Sequence, residues 1–227
     1  IGLVGSEMCI RDSTYTVSPY QTACGAVDIA MHTIERYFCP GEDTYLTDSI
    51  AEAVIKSTRK AALDCMKNPE DYNARANMMW ASSLAHNGLT QCGREFQLVV
   101  HQLEHEVSGM YPKVAHGAGL AALWCSWARY VYKANISRWL QYSANVWNLD
   151  IDYEHPEKTI ESAIDLQEQY YTSLGMPVGL KALGVEESSL PKLALDCSRN
   201  KTRTLTGYKP LAYDDILAIY QMAYSRG

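Results

Sequence analysis

Apolar residues recur every three or four positions along most of the chain, which is the period of an amphipathic α-helix. One clear example places Ile50, Val54 and Ile55 on a single face after a polar start at Thr47. Strict alternation of apolar and polar residues, the sign of a half-buried β-strand, is confined to a few positions around residues 15–17. The pattern therefore predicts an all-α domain.

Capping and helix-breaking residues divide this pattern into separate helices. Ser18 followed by Pro19 is a typical helix start, and Pro40 with Gly41 lies just past the end of the helix that begins there. We expect a loop over residues 109–115. We predict helices over residues 18–38, 47–68, 71–87, 94–108, from 116 onward, 136–147, 156–174, 187–197 and 214–225.

Length and charge exclude some classes of partner. The chain has 227 residues, enough for one large or two small domains with a substantial core. Its formal net charge is -6, and its lysines and arginines are scattered rather than clustered. Without a basic stripe we expect no nucleic-acid partner. No apolar run approaches the roughly eighteen residues of a membrane-spanning helix, so we expect no membrane partner either.

The seven cysteines are an odd number, widely spaced and without any C-x-x-C motif. This usage is typical of reduced thiols that serve as small apolar residues, not of a disulfide framework. The N-terminus also lacks the basic-then-apolar order of a secretory signal. We therefore expect a cytoplasmic protein. Residues 1–13 fit neither a helix period nor a convincing strand, and we interpret them as a non-native or mistranslated segment that precedes the helical domain of residues 14–227.

Histidines are concentrated in one stretch, because three of the six, His101, His105 and His116, lie within sixteen residues. Far upstream, Asp28 and His32 have the same four-residue spacing as His101 and His105. On an α-helix this spacing places both side chains on one face. Imidazole and carboxylate donors suit Fe²⁺, Zn²⁺ or Mn²⁺. Two such helices, closed by one more imidazole from a loop, would form a mononuclear metal site.

Each part of this pattern also has an ordinary explanation. Two histidines on one helix face can point to solvent or bond to backbone carbonyls, and a solvated Asp28 is common. For His86 and His155 we expect satisfied positions in the core, since single buried histidines are usually of this kind. The H-x-x-x-H pair is not a zinc-protease motif, because Gln102 stands where those enzymes carry a glutamate.

A second argument rests on longer segments that occur in order. They are TYTVSPYQTACGAVD (14–28) with HTIERY (32–37), NARAN (73–77) with Trp80-Ala81, HQLEHE (101–106), HGAGL (116–120), and GYKPL (207–211) with Asp214-Asp215-Ile216. Over about residues 14–225 these segments resemble the C-terminal helical domain of iron-containing alcohol dehydrogenases. They resemble more closely the branch of NAD(P)H-dependent butanol dehydrogenases.

The resemblance implies roles for single residues. Carried over position by position, the family's metal ligands fall on Asp28, His32, His101 and His116. Three neutral imidazoles and one carboxylate would leave a divalent ion with a net charge of +1. His105 falls where the family has a histidine near the nicotinamide and the substrate. We expect His105 to be the catalytic, cofactor-contacting residue that relays the alcohol proton, because imidazole titrates near neutral pH; a purely orienting role is the alternative.

The resemblance also implies an architecture and a reaction. Such enzymes join an N-terminal α/β domain, which binds the dinucleotide, to a helical metal-binding catalytic domain, and residues 14–227 correspond to the latter. The implied reaction is hydride transfer between a small aliphatic alcohol or aldehyde and NAD(P)H. Fe²⁺ is the metal expected first, with Zn²⁺ or Mn²⁺ as alternatives. The parent enzyme is implied to be a homodimer, and the present chain alone is expected to be inactive.

Two other functions stay open on the sequence. One is a helical metal-dependent hydrolase, although such sites often contain a His-Asp dipeptide and none occurs here. The other is a catalytically silent helical module that binds metal without any turnover. The run Gly117-Ala118-Gly119 is not interpreted as a phosphate-binding loop, because it follows a histidine of the implied ligand set and opens a helix.

Overall fold

The computed structural model describes residues 13–226. The α-helices of this part of the chain are α1 (Pro19–Tyr37), α2 (Tyr45–Lys67), α3 (Tyr72–His86), α4 (Val99–Met110), α5 (His116–Val131), α6 (Ile136–Trp147), α7 (Pro156–Ser173), α8 (Leu190–Cys197) and α9 (Tyr213–Ser225). No β-strand forms within residues 13–226, where strand-like pairing is limited to two isolated bridges. The prediction of an all-α domain is confirmed.

Helix starts follow the capping residues of the sequence. Ser18 Oγ accepts a hydrogen bond from the Gln21 N–H at 3.3 Å and caps α1. Asn135 caps α6 in the same way, through the Arg138 N–H at 3.1 Å, and α6 has both of its predicted bounds. Residues 1–12 lie outside the described part of the chain, so the interpretation of the first thirteen residues as non-native stays a prediction.

One predicted helix is wrong in its bounds. The few alternating residues around 15–17 form no strand, in agreement with the all-α prediction, and Ser13–Thr16 is a short 3₁₀ turn. The helix predicted over residues 187–197 begins as a 3₁₀ turn, Glu187–Ser189, and the regular α8 covers only its later part. This 3₁₀ turn is three residues long, too short for hydrophobic periodicity to separate it from the first turn of an α-helix.

The predicted start of α4 at residue 94 is also wrong, since the helix begins at Val99. Arg94 is used in a tertiary contact instead. Its guanidinium donates to the Tyr37 carbonyl at 2.7 Å and pairs with the buried carboxylate of Asp48. Because this contact fixes Arg94, the residues before Val99 do not continue α4 toward the N-terminus. Local periodicity cannot predict such a contact between distant residues.

The central helix is α5, against which α1, α4, α7 and α9 pack. Every residue from Gly117 to Ala128 is buried. Small residues fill the first turns of α5, which lets the neighbouring helices approach its backbone closely. Farther along, the core is filled by aromatic side chains, whose burial contributes about 1.5–3 kcal/mol each. These aromatic residues are Tyr37, Phe38, Trp124, Trp127, Trp139 and Tyr142.

Asp48 and Glu52 on α2 have the same spacing as Asp28 and His32, but their carboxylates belong to a structural network. Asp48 makes a two-point ion pair with Arg138, at 2.5 and 2.7 Å. Glu52 accepts a hydrogen bond from the Tyr37 hydroxyl at 2.8 Å. Paired and hydrogen-bonded in this way, the two buried carboxylates tie α2 to α1 and α6.

Within residues 13–226, no helix has both the length and the apolar character that crossing a membrane requires. The six cysteines among residues 13–226 are all free, so no disulfide bond joins any two of them.

Candidate metal centre

Three helices carry the residues of the implied site, and two of them, α1 and α4, each pack against the third, α5. Asp28 and His32 lie one turn apart on α1, His101 and His105 lie one turn apart on α4, and His116 is the first residue of α5. The four-residue spacing puts each pair on one face of its helix. The crossing of the three helices then decides which members of the pairs meet.

Asp28 Oδ1 is the common point of the cluster. It lies 3.6 Å from His32 Nε2, 3.4 Å from His101 Nε2 and 3.5 Å from His116 Nε2. The possible ligand atoms of Asp28, His32 and His101 all lie within 4.8 Å of one another. The structure thus brings together the four residues that the resemblance implies as ligands.

The separations of the three imidazole nitrogens from Asp28 Oδ1 fit a single divalent ion, and His116 also lies close to Glu104 and His105. Four nitrogen and oxygen donors at about 2.1 Å from a tetrahedral ion lie about 3.4 Å from one another. Asp28 Oδ1 and His101 Nε2 are buried and have no hydrogen-bond partner among the described residues. A buried polar atom without a partner costs about 1–3 kcal/mol. A cation between these atoms would remove that cost.

A buried carboxylate of α1 holds His101. The His101 Nδ1 donates to Glu35, and the same carboxylate accepts the backbone N–H groups of Val100 and His101. Leu98, the N-cap residue of α4, makes no side-chain capping bond, so Glu35 caps this helix from its neighbour. Because Nδ1 is engaged by Glu35, Nε2 is the ring nitrogen of His101 that is left to bind an ion, and it lies 3.4 Å from Asp28 Oδ1.

Glu104 of α4 holds His116 in the same way. The His116 Nδ1 donates to Glu104 Oε2, and its Nε2 is the atom that approaches Asp28. Gly119 makes room for the carboxylate, because a Cβ at this position would lie 2.5 Å from Glu104 Oε1. The second glycine of the G-A-G run therefore has a packing role.

The carboxylates and imidazoles of the cluster shift one another's pKa. Burial raises the pKa of Asp28, but the facing imidazoles of His101 and His116 outweigh it and hold that pKa well below its usual range. The facing carboxylates of Asp28 and Glu104 raise the pKa of His116 to about 10. Burial, together with the adjacent His101, lowers the pKa of His32 to about 3. The shifts of Asp28 and His116 both favour positive charge beside the Asp28 carboxylate, which is also what suits a cation.

His105 lies on the outer side of the cluster. Its ring is exposed, lies 5.5 Å from the His116 ring at an interplanar angle of 27°, and lies 6.2 Å from the His101 ring. Possible ligand atoms of His105, Glu104 and His116 also lie within 4.8 Å of one another. His101 and His105 border an open cleft, so the second histidine of the pair faces outward. The other residues that line this cleft are Phe96, Gln97, Leu98, Gln102, Arg203 and Thr206.

The expectation that His86 and His155 are core residues is wrong, since both are exposed. His86, the last residue of α3, donates from Nδ1 to the Ser82 carbonyl at 2.7 Å. Its Nε2 lies 3.9 Å from Asp28 Oδ2, and its ring centroid lies 4.2 Å from that of His32. His86 is therefore a further histidine at the edge of the cluster.

Sequence reasoning does not identify Glu35, Glu104 or His86 as members of this site. A signal for the two glutamates exists, because each follows a histidine of the cluster by three residues and shares a helix face with it. The spacing does not show that each glutamate bonds to the histidine of the next helix. His86 has no such signal, since the packing of α3 on α1 brings it to the cluster.

Comparison with known proteins extends over nearly the whole chain. The sequence profile described as "Fe-containing alcohol dehydrogenase family, C-terminal" matches residues 22–224. The chain is 38% identical over 212 residues to NADH-dependent butanol dehydrogenase A of Clostridium acetobutylicum, covering 93% of this chain and 54% of that protein. It is 32% identical over 214 residues to the NADPH-dependent aldehyde reductase YqhD of Escherichia coli, covering 92% of this chain and 54% of that protein.

Solved structures show the same likeness. The substrate- and cofactor-free form of YqhD matches with a TM-score of 0.87 at 30% identity, covering 94% of this chain and 55% of that chain. The NADH-dependent butanol dehydrogenase A of Thermotoga maritima also has a TM-score of 0.87, at 29% identity and the same coverage. The chain spans about half the length of the curated relatives and solved chains that it matches.

Proposed function

Because the chain belongs to the iron-containing alcohol dehydrogenase family, we propose that it is the metal-binding part of an alcohol dehydrogenase or aldehyde reductase. The reaction is hydride transfer between an aliphatic alcohol or aldehyde and a nicotinamide cofactor. Relatives named as an NADH-dependent butanol dehydrogenase and an NADPH-dependent aldehyde reductase support this substrate class. Since the chain spans half of these relatives, the activity of the whole enzyme is part of the proposal.

One observation carries the metal part of the proposal, namely that Asp28 Oδ1 faces three imidazole nitrogens at 3.4–3.6 Å. We propose Asp28, His32, His101 and His116 as the ligands of one divalent ion. Imidazole and carboxylate donors accept Fe²⁺, Zn²⁺ and Mn²⁺ alike. We favour Fe²⁺ because the family is named for it.

When bound, the ion supplies a Lewis acid for the substrate oxygen, and the nicotinamide supplies or accepts the hydride. The residues of the chain orient the substrate and move its proton. The exposed ring of His105 borders the cleft beside His116, where it can pass a proton between a substrate oxygen and water. Phe96, which is 61% exposed, and Leu98 provide apolar surface for a short aliphatic chain.

We propose that a separate N-terminal domain binds the dinucleotide. The phosphate cradle of such cofactors is a strand, a glycine-rich turn and a helix, and residues 13–226 contain no strand from which to build it. The homodimeric state of the enzyme and its cytoplasmic location stay predictions. The free cysteines of the described residues support a reducing compartment.

The proposal is tested by comparing this chain with a full-length enzyme that carries both domains. We expect the chain alone to bind a divalent ion but to show no saturable NADH or NADPH binding by calorimetry, and no oxidation of either cofactor with butanal. The two-domain enzyme should bind NADH or NADPH saturably and should oxidise the cofactor with butanal. Tight dinucleotide binding by the chain alone would mean that the cofactor site has been misplaced. Failure to bind any divalent ion would remove the metal part.

The hydrolase alternative has no support from the relatives described above, which are named as dehydrogenases and a reductase. Hydrolysis of an ester or amide by the metal-loaded chain, without any nicotinamide, would restore it. The silent-module alternative agrees with the behaviour expected of this chain alone. It separates from the main proposal only when the two-domain enzyme is assayed.

A further inference from the structure

The same arrangement occurs twice, at two successive helices of the cluster. On α1, Glu35 accepts the Nδ1–H of His101, which lies on α4. On α4, three residues after His101, Glu104 accepts the Nδ1–H of His116, which opens α5. Each of these two helices therefore provides one histidine of the cluster. Each also provides a carboxylate that holds a histidine on another helix, from α1 to α4 and from α4 to α5.

Both carboxylates lie deep in the fold, since Glu35 is 3% exposed and Glu104 is 0% exposed. Burying a carboxylate costs several kcal/mol unless its oxygens are hydrogen-bonded or paired. Glu35 offsets part of this cost by capping α4. Glu104 Oε1, in contrast, has no hydrogen-bond partner within the described residues. A well-packed apolar side chain would serve stability at least as well at this position, so the cost points to a role in the site.

We infer that Glu35 and Glu104 are positioning residues, which hold His101 and His116 in the tautomer whose Nε2 can bind a divalent ion. The inference rests on the proposed metal site. A carboxylate on the second ring nitrogen fixes the orientation of a ligand histidine and makes it a stronger donor. His32 lacks this support, because its Nδ1 is buried with no hydrogen-bond partner in the described part of the chain.

The two glutamates also change the charge of the site. The four proposed ligands alone would leave a divalent ion with a net charge of +1, as the sequence suggests. With both hydrogen-bonded carboxylates included, the formal charge of the buried assembly becomes -1. Charge interactions are stronger in a protein interior than in water. The site should therefore hold a divalent cation more tightly than its four ligands alone would.

Co²⁺ is a suitable probe, because its visible absorption depends on the identity and geometry of its donors. We would titrate the metal-free chain with Co²⁺ against a competing chelator. Glu104→Gln removes the charge but keeps an acceptor for His116, whereas Glu104→Met removes both at similar volume. We expect Co²⁺ affinity to fall roughly tenfold for Glu104→Gln and Glu35→Gln, and roughly a hundredfold for Glu104→Met. The visible spectrum should change with each.

Glu52→Gln is the matched control. Glu52 is also a buried carboxylate, and it accepts hydrogen bonds from the Tyr37 hydroxyl at 2.8 Å and from Asn145 at 2.9 Å. Its substitution should lower the thermal stability of the chain while leaving Co²⁺ affinity and spectrum unchanged. If Glu104 had only a structural role, Glu104→Gln would behave like this control.

The possible results distinguish failure of the positioning role of the two glutamates from failure of the proposed metal site. A wild-type chain that takes up no Co²⁺ overturns the proposed metal site and the inference with it. A wild-type chain that binds Co²⁺, with both Glu104 variants equal to it in affinity and spectrum, overturns the inference alone. Glu35→Gln can fail to fold, because Glu35 also caps α4, and the two Glu104 variants then decide the result.

Discussion

Gly117 of α5 lies so close to Cys24 of α1 that a Cβ built on it would sit 2.2 Å from the Cys24 carbonyl oxygen. The preceding residue, His116, lies 3.5 Å from Asp28, which is one turn further along α1. A side chain at residue 117 would have to push the two helices apart. The missing Cβ is therefore a condition for the contact between His116 and Asp28.

We predict that Gly117→Ala costs about 1–3 kcal/mol in the free energy of unfolding, as overpacking in a core does. Co²⁺ affinity should fall roughly tenfold, because His116 moves away from Asp28. Chemical denaturation and chelator competition measure the two effects. Gly25→Ala is the control, since a Cβ there meets nothing within 4 Å and alanine in a helix interior stabilises by about 0.5–1 kcal/mol. Unchanged affinity in Gly117→Ala would show that the close approach does not position the site.

Asp28→Asn keeps the shape of the side chain but removes the charge that faces three imidazoles. We predict that bound metal falls from about one ion per chain to a small fraction, because the proposed site loses its only anionic ligand. Elemental analysis after dialysis against Zn²⁺ measures this stoichiometry. Asp64→Asn, at an exposed carboxylate that pairs with Lys60, should retain full metal content. Equal metal content in the two variants would contradict the proposed role of Asp28.

Metal binding should release protons near neutral pH. The pKa of His116 is raised to about 10, so this residue is protonated at pH 7.5 and must lose its proton before Nε2 can bind an ion. Apparent affinity should therefore rise with pH from neutrality toward about pH 10. Calorimetry of Zn²⁺ binding in buffers with different ionisation enthalpies counts the protons released. Identical heats in all buffers would mean that His116 does not exchange a proton for the metal.

His105→Ala, made in the two-domain enzyme, should reduce turnover about a hundredfold or more while metal content stays the same. The reason is that His105 borders the cleft and its ring centroid lies 6.2 Å from that of His101, on the outer side of the cluster. Metal analysis beside alcohol oxidation rates across pH measures both quantities. Loss of the metal in this variant would instead make His105 a ligand, and would end the proposal that it relays a proton.

The helices themselves follow from local sequence. Ser18 and Asn135 cap α1 and α6 as single residues, and hydrophobic periodicity indicates the extent of most of the other helices. These features depend on neighbours within about one turn, so they can be predicted without knowledge of the fold. The start of α4 departs from its prediction because Arg94 is held by Asp48, a residue distant in sequence.

Sequence spacing treats His101 and His105 alike, because both lie on one face of α4. The resemblance separates them by position, and the structure gives the physical reason for the difference. His101 Nε2 reaches Asp28, while His105 is turned toward the cleft. This choice depends on how α1, α4 and α5 cross, and no local pattern contains a crossing angle.

Local sequence is enough to outline the nine α-helices of the described residues, and it also supplies the imidazoles and carboxylates available to the site. The bonds from Glu35 and Glu104 to histidines of other helices, and the place of His86 beside the cluster, arise only when the helices pack together. Helix formation is local, whereas contact between side chains of different helices depends on that packing. That packing is set by contacts such as the one between Gly117 and Cys24, two residues that are far apart in the sequence.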